Sequence, residues 1–388
     1  MLKKIRFLTA GESHGKGLSG ILEGFPAGVP LSEALIAQDL VRRQKGHGRG
    51  GRMKIEQDQA EILSGIRHGL SLGSPIALWI PNNDWKNWKD GLMAHETPDS
   101  DIPEVTLPRP GHADLAGVQK FGFNDVRNVL ERSSARETAM RVALGAICRV
   151  FLKELGIEIA SHVTQIGSNH YVTENISDLE ILNICADKSD VRCLDDSMSQ
   201  KMIAHIDDVK RQGDSLGGTF EVLASGVPVG LGSYTHWDCK LDARITAAMM
   251  SINAMKGVSI GDGMQVAELP GSKIHDEIIK DDNSKSIRRA SNRAGGIEGG
   301  MSNGELIRVQ VSMKPIPTLV KPLRSVDIKT QEPGLAHKER TDACAVPAAS
   351  VIGEAMMSLI LTDAILEKFG GDSLEQVKAH MAETGVKP

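Results

Sequence analysis

The chain has 388 residues, 45 Lys plus Arg against 50 Asp plus Glu, and a net charge of −5. A surface of that sign argues against a nucleic-acid or anionic-membrane partner, because counterion release needs basic surface. No apolar run approaches the ~20 residues that span a bilayer, and the basic start is followed by only about four apolar residues, too few for a signal peptide. The five cysteines (Cys148, Cys185, Cys193, Cys239 and Cys344) are scattered, with no Cys-x-x-Cys pair. They support neither a disulfide framework nor a metal knuckle, so no metal is expected and a reducing cytoplasm is the expected location. Aromatics are only 3% and glycines number 40. The core must therefore be built from Ala, Val, Ile, Leu and Met.

In chain order, residues 5–10 and 18–25 read as short strands around a glycine turn. Ser32 caps a helix that runs to Gln44. Residues 45–52 are too glycine-rich for regular structure. Residues 60–66 and 75–80 read as strands, the second opened by a proline. Residues 82–110 read as a long loop, of the kind that is functional or mobile. Ser134 and Glu137 fit a capping box that starts a helix over 135–155. Residues 157–166 form a strand, and 176–188 and 197–211 are amphipathic helices without a motif, read as surface. A strand at 218–227 is followed by a helix at 241–255, apolar on most of its circumference and therefore deeply buried. Residues 305–313 alternate as a strand, and 348–369 form a long apolar helix with Pro347 near its first turn. No repeat or linker divides the chain, so one α/β domain over residues 1–388 is expected.

Six segments join glycine to chemically active side chains outside regular structure. Gly11-Glu12-Ser13-His14-Gly15 matches the Gly-x-Ser-x-Gly nucleophile elbow. An elbow needs a helix after the serine, whereas the following stretch looks extended; a serine hydrolase using Ser13 stays as the alternative function. Arg42, Arg43, Lys45, Arg49, Arg52 and Lys54 occur with no acid among them. Guanidinium forks bind phosphate and carboxylate alike, so an anionic ligand is expected there. RNA is disfavoured, because no aromatics interleave for base stacking. Arg109-Pro110-Gly111-His112-Ala113-Asp114 sets a histidine where a helix begins. Arg132-Ser133-Ser134-Ala135-Arg136-Glu137 joins two arginines to a helix N-terminus, a second anion site. Small residues between 295 and 304, followed by Lys314-Pro315-Ile316-Pro317-Thr318, offer backbone against which a flat ligand lies. Arg340-Thr341-Asp342 precedes a helix, with Asp342 either a salt-bridge partner or a base. These readings yield two anion sites and two acid/base histidines, but no reaction.

Taken together, and with Gly48-Arg49-Gly50-Gly51-Arg52-Met53 and Ser251-Ile252-Asn253-Ala254, these segments resemble the chorismate synthase family over nearly the whole chain. The length resembles the monofunctional form, without room for a fused flavin reductase. The resemblance implies an α+β fold, a β-α-β sandwich with helices between two mostly antiparallel sheets, assembled as a homotetramer. It implies a lyase of the shikimate pathway and aromatic amino-acid biosynthesis. The reaction converts 5-enolpyruvylshikimate 3-phosphate to chorismate and phosphate by anti-1,4-elimination, with reduced FMN and no net redox change. An external flavin reductant, with NADPH behind it, is implied as well.

By the same resemblance His14 is the general acid toward the departing phosphate, His112 the partner of the reduced flavin, and Asp342 the group that tunes flavin N5. Arg43, Arg49, Arg52, Arg109, Arg136 and Arg340 are implied to cage the substrate's phosphate and carboxylates, with Ser13 and Ser134 beside it. Arg132, Ser133, Ser134, Asn253, Ala254, Gly299 and Arg340, with Lys314, Pro315, Ile316, Pro317 and Thr318, are implied to form the flavin site. His47 stands where an aromatic is common in relatives.

Overall fold

Two antiparallel sheets form, and alternation of inward and outward side chains is clearest in their half-exposed strands. The strand Ile307–Met313 shows the principle: Ile307, Val309, Val311 and Met313 point inward and the residues between them outward. A computed structural model describes residues 2–50, 57–92, 102–172, 178–280, 287–339 and 341–385. The first sheet orders its strands Arg6–Ala10, Gly17–Glu23, Ile76–Pro81 and Glu61–Ser64, each antiparallel to its neighbour. The second orders Met255–Ile260, Ile307–Met313, Gly218–Ser225, Glu158–Ile166 and Asn169–His170, again antiparallel throughout.

Two helices fill the space between the sheets. Thr138–Glu154 lies on the first sheet, Val346–Phe369 on the second, and the two pack on each other. A glycine marks each boundary, because a side chain there would collide. A Cβ on Gly20 would sit 2.5 Å from Met140 Sδ, one on Gly145 2.4 Å from Ala355 Cβ, and one on Gly353 2.7 Å from Val222 Cγ2. Close approach without large rings is how a chain with 3% aromatics fills a core this wide. The β-α-β sandwich expected from the resemblance is therefore the observed architecture.

The helix Val346–Phe369 is the one element among the described residues long and apolar enough to cross a membrane, which the sequence reading had not anticipated. Its apolar window is wholly buried between the layers. It also carries Glu354 and Asp363, both buried and both ion-paired.

Several expected boundaries are corrected. The helix read as 241–255 ends at Met250, and Met255 instead opens a strand paired with Met313. Its inner face is buried while Met250 is 45% exposed, so it is amphipathic rather than engulfed. Ser134 does cap a helical start, but its Oγ accepts from Arg136 N–H, and a 3-10 turn at Ala135–Glu137 comes before the α-helix. Glu137 completes no capping box; its carboxylate takes Thr9 Oγ1 and Arg141 Nε. A short helix, Asp114–Phe121, begins at the end of the Arg109–Asp114 segment as expected, while a second, Arg127–Ser133, stands where no helix was assigned. The helix Leu179–Lys188, read as surface, packs Leu179 and Leu182 against Ala160 and Leu223 of the second sheet. Residues 176 and 177 of that reading lie outside the described residues.

Candidate active site

One cavity, of about 410 Å³, opens where loops from both sheets meet the N-terminal end of the helix Thr138–Glu154. That volume is in the range of small-molecule sites, about 300–1,000 Å³. Ser13 and His14 reach it from the turn between the first two strands. Gly11 makes that turn possible: its φ is +113°, and a Cβ would lie 2.4 Å from Gly17 O. Asn82 then locks the turn. Its Nδ2 donates to Glu12 O and Gly15 O at 3.1 and 2.8 Å, while Oδ1 accepts from Arg136 Nε at 3.0 Å. Ser13 N–H donates to Glu131 O at 2.9 Å. His14 Nδ1 faces both oxygens of the Glu131 carboxylate at 2.9 and 3.1 Å, and its ring stacks on Trp88 at 4.1 Å.

The cationic wall comes from four loops and one helix end. Arg43, near the end of the helix Glu33–Gln44, bonds Thr138 Oγ1 and Ala135 O at 2.9 and 3.0 Å and faces Asp58 at 3.4 Å. Burial pulls its guanidinium down to about 10; Asp58 opposes this, and Arg49 and Arg136 add to it. It stays cationic at neutral pH. Arg136 pairs with the other oxygen of Asp58. Arg49 Nε lies 3.4 Å from Asp342 Oδ2, and Asp342 Oδ1 accepts from Gly50 N–H at 2.6 Å, so this carboxylate ties down the glycine-rich loop. Arg109 donates to Asp114 from Nε and Nη2, and to Thr318 Oγ1 at 3.0 Å. Asp114 also faces His112 Nδ1. Burial alone would raise the Asp114 carboxyl, yet the bonds from His112 and Arg109 hold it well below the usual range. Lys314 Nζ donates to Gly111 O, and burial lowers its ammonium.

Opposite the arginines, Ile252, Asn253 and Ala254 form a turn at the rim of the second sheet. Ala254 holds φ at +69°, a conformation that non-glycine residues rarely keep without reason. Asn253 Nδ2 donates to Ser133 O at 3.0 Å, while its Oδ1 is buried with no hydrogen-bond partner among the described residues. A buried orphan acceptor on a cavity wall invites an N–H of a ligand.

Most of the expected site residues thus converge. Ser13, His14, Arg43, Arg49, Arg109, His112, Ser133, Ser134, Arg136, Asn253, Ala254, Lys314, Ile316, Pro317, Thr318 and Asp342 all line this cavity. Pro315, Arg132 and Gly299 do not. Arg132 turns back to Thr9 O and Oγ1, both at 2.8 Å, and Gly299 sits in the turn between Ile297–Glu298 and Met301–Ser302. Arg52 and Arg340 lie outside the described residues; Glu339 and Thr341, beside Arg340, line the cavity. Arg42, read as part of the basic patch, faces away and bonds Glu354 at 2.6 and 2.8 Å. His47 pairs with Asp207 at 2.7 Å.

The serine-hydrolase reading finds no support. A strand rather than a helix follows Ser13, its Oγ donates to Ser134 Oγ at 3.1 Å, and the imidazole next to it is turned to Glu131. Sequence reasoning missed Asp58, Asn82, Trp88, Arg127 and Glu131. Only the Arg127–Glu131 pair, spaced i to i+4, left a local signal.

A family model described as chorismate synthase matches residues 5–366. The chorismate synthase of Aquifex aeolicus is 54% identical, across 97% of this chain and 96% of its own. That of Streptomyces coelicolor is 50% identical across 98% of both. A solved structure titled "Crystal Structure of Chorismate Synthase" superposes with a TM-score of 0.79 at 44% identity, covering 99% of this chain and 98% of the other. With near-complete coverage at such identity, and with the motif residues gathered around one cavity, the chain belongs to the chorismate synthase family.

Proposed function

We propose that this cavity holds 5-enolpyruvylshikimate 3-phosphate beside reduced FMN and carries out the family's 1,4-elimination with the side chains that line it. The chain is a carbon–oxygen lyase of the shikimate pathway, acting on a small molecule, in a family that uses reduced FMN. One observation supports the assignment of the site: the described lining carries five cations, Arg43, Arg49, Arg109, Arg136 and Lys314, against two carboxylates, Glu339 and Asp342, and it stays cationic after Asp58 and Asp114 pair with three of the guanidiniums from behind. An excess of cations in a partly closed pocket demands an anionic guest. The substrate, with one phosphate and two carboxylates, is such a guest.

The wall also fits a flavin. Asn253 Oδ1 offers an acceptor to a ring N–H, the strained turn at Ala254 brings backbone to the cavity edge, and Lys314 and Ser133 offer donors to a phosphate or ribityl chain. When bound, reduced FMN supplies electron density to the substrate as its C–O bond breaks. Arg43, Arg49, Arg109 and Arg136 hold and orient the anionic groups. His14 protonates the leaving phosphate oxygen, which spares a poor leaving group its full charge. His112, fixed by Asp114 and Arg109, would face the bound flavin, and Asp342 is the carboxylate that would tune flavin N5, the group that would receive the proton leaving the substrate ring. The layered core excludes bulk water from one side of this arrangement.

The chain works in the cytoplasm as one domain within a homotetramer, with reducing equivalents supplied from outside, NADPH being their ultimate source. Large exposed side chains support assembly: Met264 is 87% exposed, Ile278 72% and Ile287 79%. The test is anaerobic phosphate release with photoreduced FMN. Turnover is expected only with the reduced cofactor; full activity with oxidised FMN in air would refute the reading.

A further inference from the structure

We propose that Glu131 is a positioning residue for His14: its carboxylate grips Nδ1–H, so that Nε2 is the nitrogen that presents a proton to the cavity. The inference rests on the reading of His14 as general acid and names the group that prepares it.

Three atoms of Glu131 hold the turn that carries His14. Its carboxylate meets the imidazole Nδ1 at 2.9 and 3.1 Å, Oε2 accepts His14 backbone N–H at 2.8 Å, and its own carbonyl accepts Ser13 N–H at 2.9 Å. Both side chains are nearly excluded from solvent, at 4% for Glu131 and 7% for His14, so the charge acts with little screening. Glu131 also shares Oε1 with Arg127 Nη1 at 3.2 Å. The circle closes through Trp88, whose ring takes the Arg127 guanidinium at 4.9 Å and the His14 imidazole at 4.1 Å. Ring orientation, tautomer and access are thus set together.

The charges around the imidazole are of both signs. Glu131 and Glu339 bring negative charge to it; Arg127 and the cavity guanidiniums bring positive charge. His337 sits behind Glu339 at 3.0 Å. Burial would push the Glu131 carboxyl up, but the bond and charge from His14 hold it down, so it remains an anion. A general acid must keep its proton until the leaving group takes it, and a buried carboxylate at Nδ1 does that while Nε2–H gives its proton to a phosphate oxygen. Glu131 retains no transferred proton; it stabilises the cation before transfer and the tautomer after it.

Stacking on Trp88 supplies a readout that needs no substrate, because an imidazolium quenches an adjoining indole more than neutral imidazole does. The emission of the ligand-free protein is followed against pH, with Trp88→Phe as the background to subtract. Glu131→Gln is expected to lower the quenching midpoint by about 1–2 pH units, and Arg127→Gln to raise it. The kcat profile should shift with the midpoint in both variants, with KM within about twofold of wild type. An unmoved midpoint in Glu131→Gln, or the same direction of shift in both variants, overturns the proposal. Should Glu131→Gln fail to fold, Arg127→Gln decides alone: a midpoint that stays or falls overturns it. If the midpoints move as stated while kcat ignores them, the coupling stands and the general-acid reading of His14 falls.

Discussion

Arg42 and Arg43 are neighbours on one helix and serve opposite purposes. Arg42 joins Arg149 and Arg192 around Glu354, with Asp39 and Asp187 completing three carboxylates for three guanidiniums. Arg43 turns the other way, toward a cavity whose described lining has five cations and two carboxylates. Asp58 and Asp114 stand behind that wall and anchor its guanidinium groups, but the inward face stays cationic. The difference shows how to read an arginine cluster. A balanced buried cluster is architecture, because each charge is satisfied by its neighbours. An unbalanced one facing a cavity is half of an interaction whose other half is the ligand.

The comparison breaks most visibly at Glu354. Replacing it with alanine leaves three guanidiniums around an empty acceptor, and about 3–5 kcal/mol of stability should be lost in denaturant unfolding. Activity per folded molecule should hold. Arg49→Met is the mirror test: kcat/KM should fall by about 10²–10³-fold while unfolding changes far less, since Asp342 keeps its bond from Gly50 N–H. His14→Ala should lower kcat by about 10²–10⁴-fold with the substrate complex still formed.

Acid sharpens the contrast. Burial would raise the Glu354 carboxyl, but the charges of Arg42 and Arg149 bring it down to about 2, against an ordinary 4.5. A depressed carboxylate stabilises the fold above its unfolded value, and that contribution fades as pH falls from 4.5 toward 2. About 3 kcal/mol should disappear across that window, and Glu354→Gln should lack that part of the acid slope. The smallest effect expected is ionic. Raising salt from low to about 0.15 M should weaken substrate binding several-fold, because the cavity is open to solvent, and leave Tm almost unchanged.

What was legible in the sequence follows from the range of the forces involved. The Ser32 cap, the alternation in Ile307–Met313 and the apolar length of Val346–Phe369 are local signals, and each is where it was expected. The helix ending at Met250 was overrun, because what stops it is the strand pairing of Met255 with Met313, far along the chain. The capping box failed because Glu137 found better partners in Arg141 and Thr9. Motif residues of the site were legible through glycine and arginine spacing. Their acidic partners were not: Asp58 lies 78 residues from Arg136, and Glu131 lies 117 from His14. Nothing in composition tells Arg42 from Arg43; only the helical step of about 100° between adjacent residues sends them to different clusters.

The central claim is that the unbalanced cluster, and not the balanced one, is the seat of the substrate. Calorimetric titration of 5-enolpyruvylshikimate 3-phosphate into the FMN-loaded protein tests it most directly, with Arg49→Met and Glu354→Gln compared side by side. Arg49→Met should bind about 10²-fold more weakly, as expected for loss of a charged hydrogen-bond donor, while Glu354→Gln binds as the wild type does. Equal weakening in both variants, or full affinity in Arg49→Met, would contradict the account.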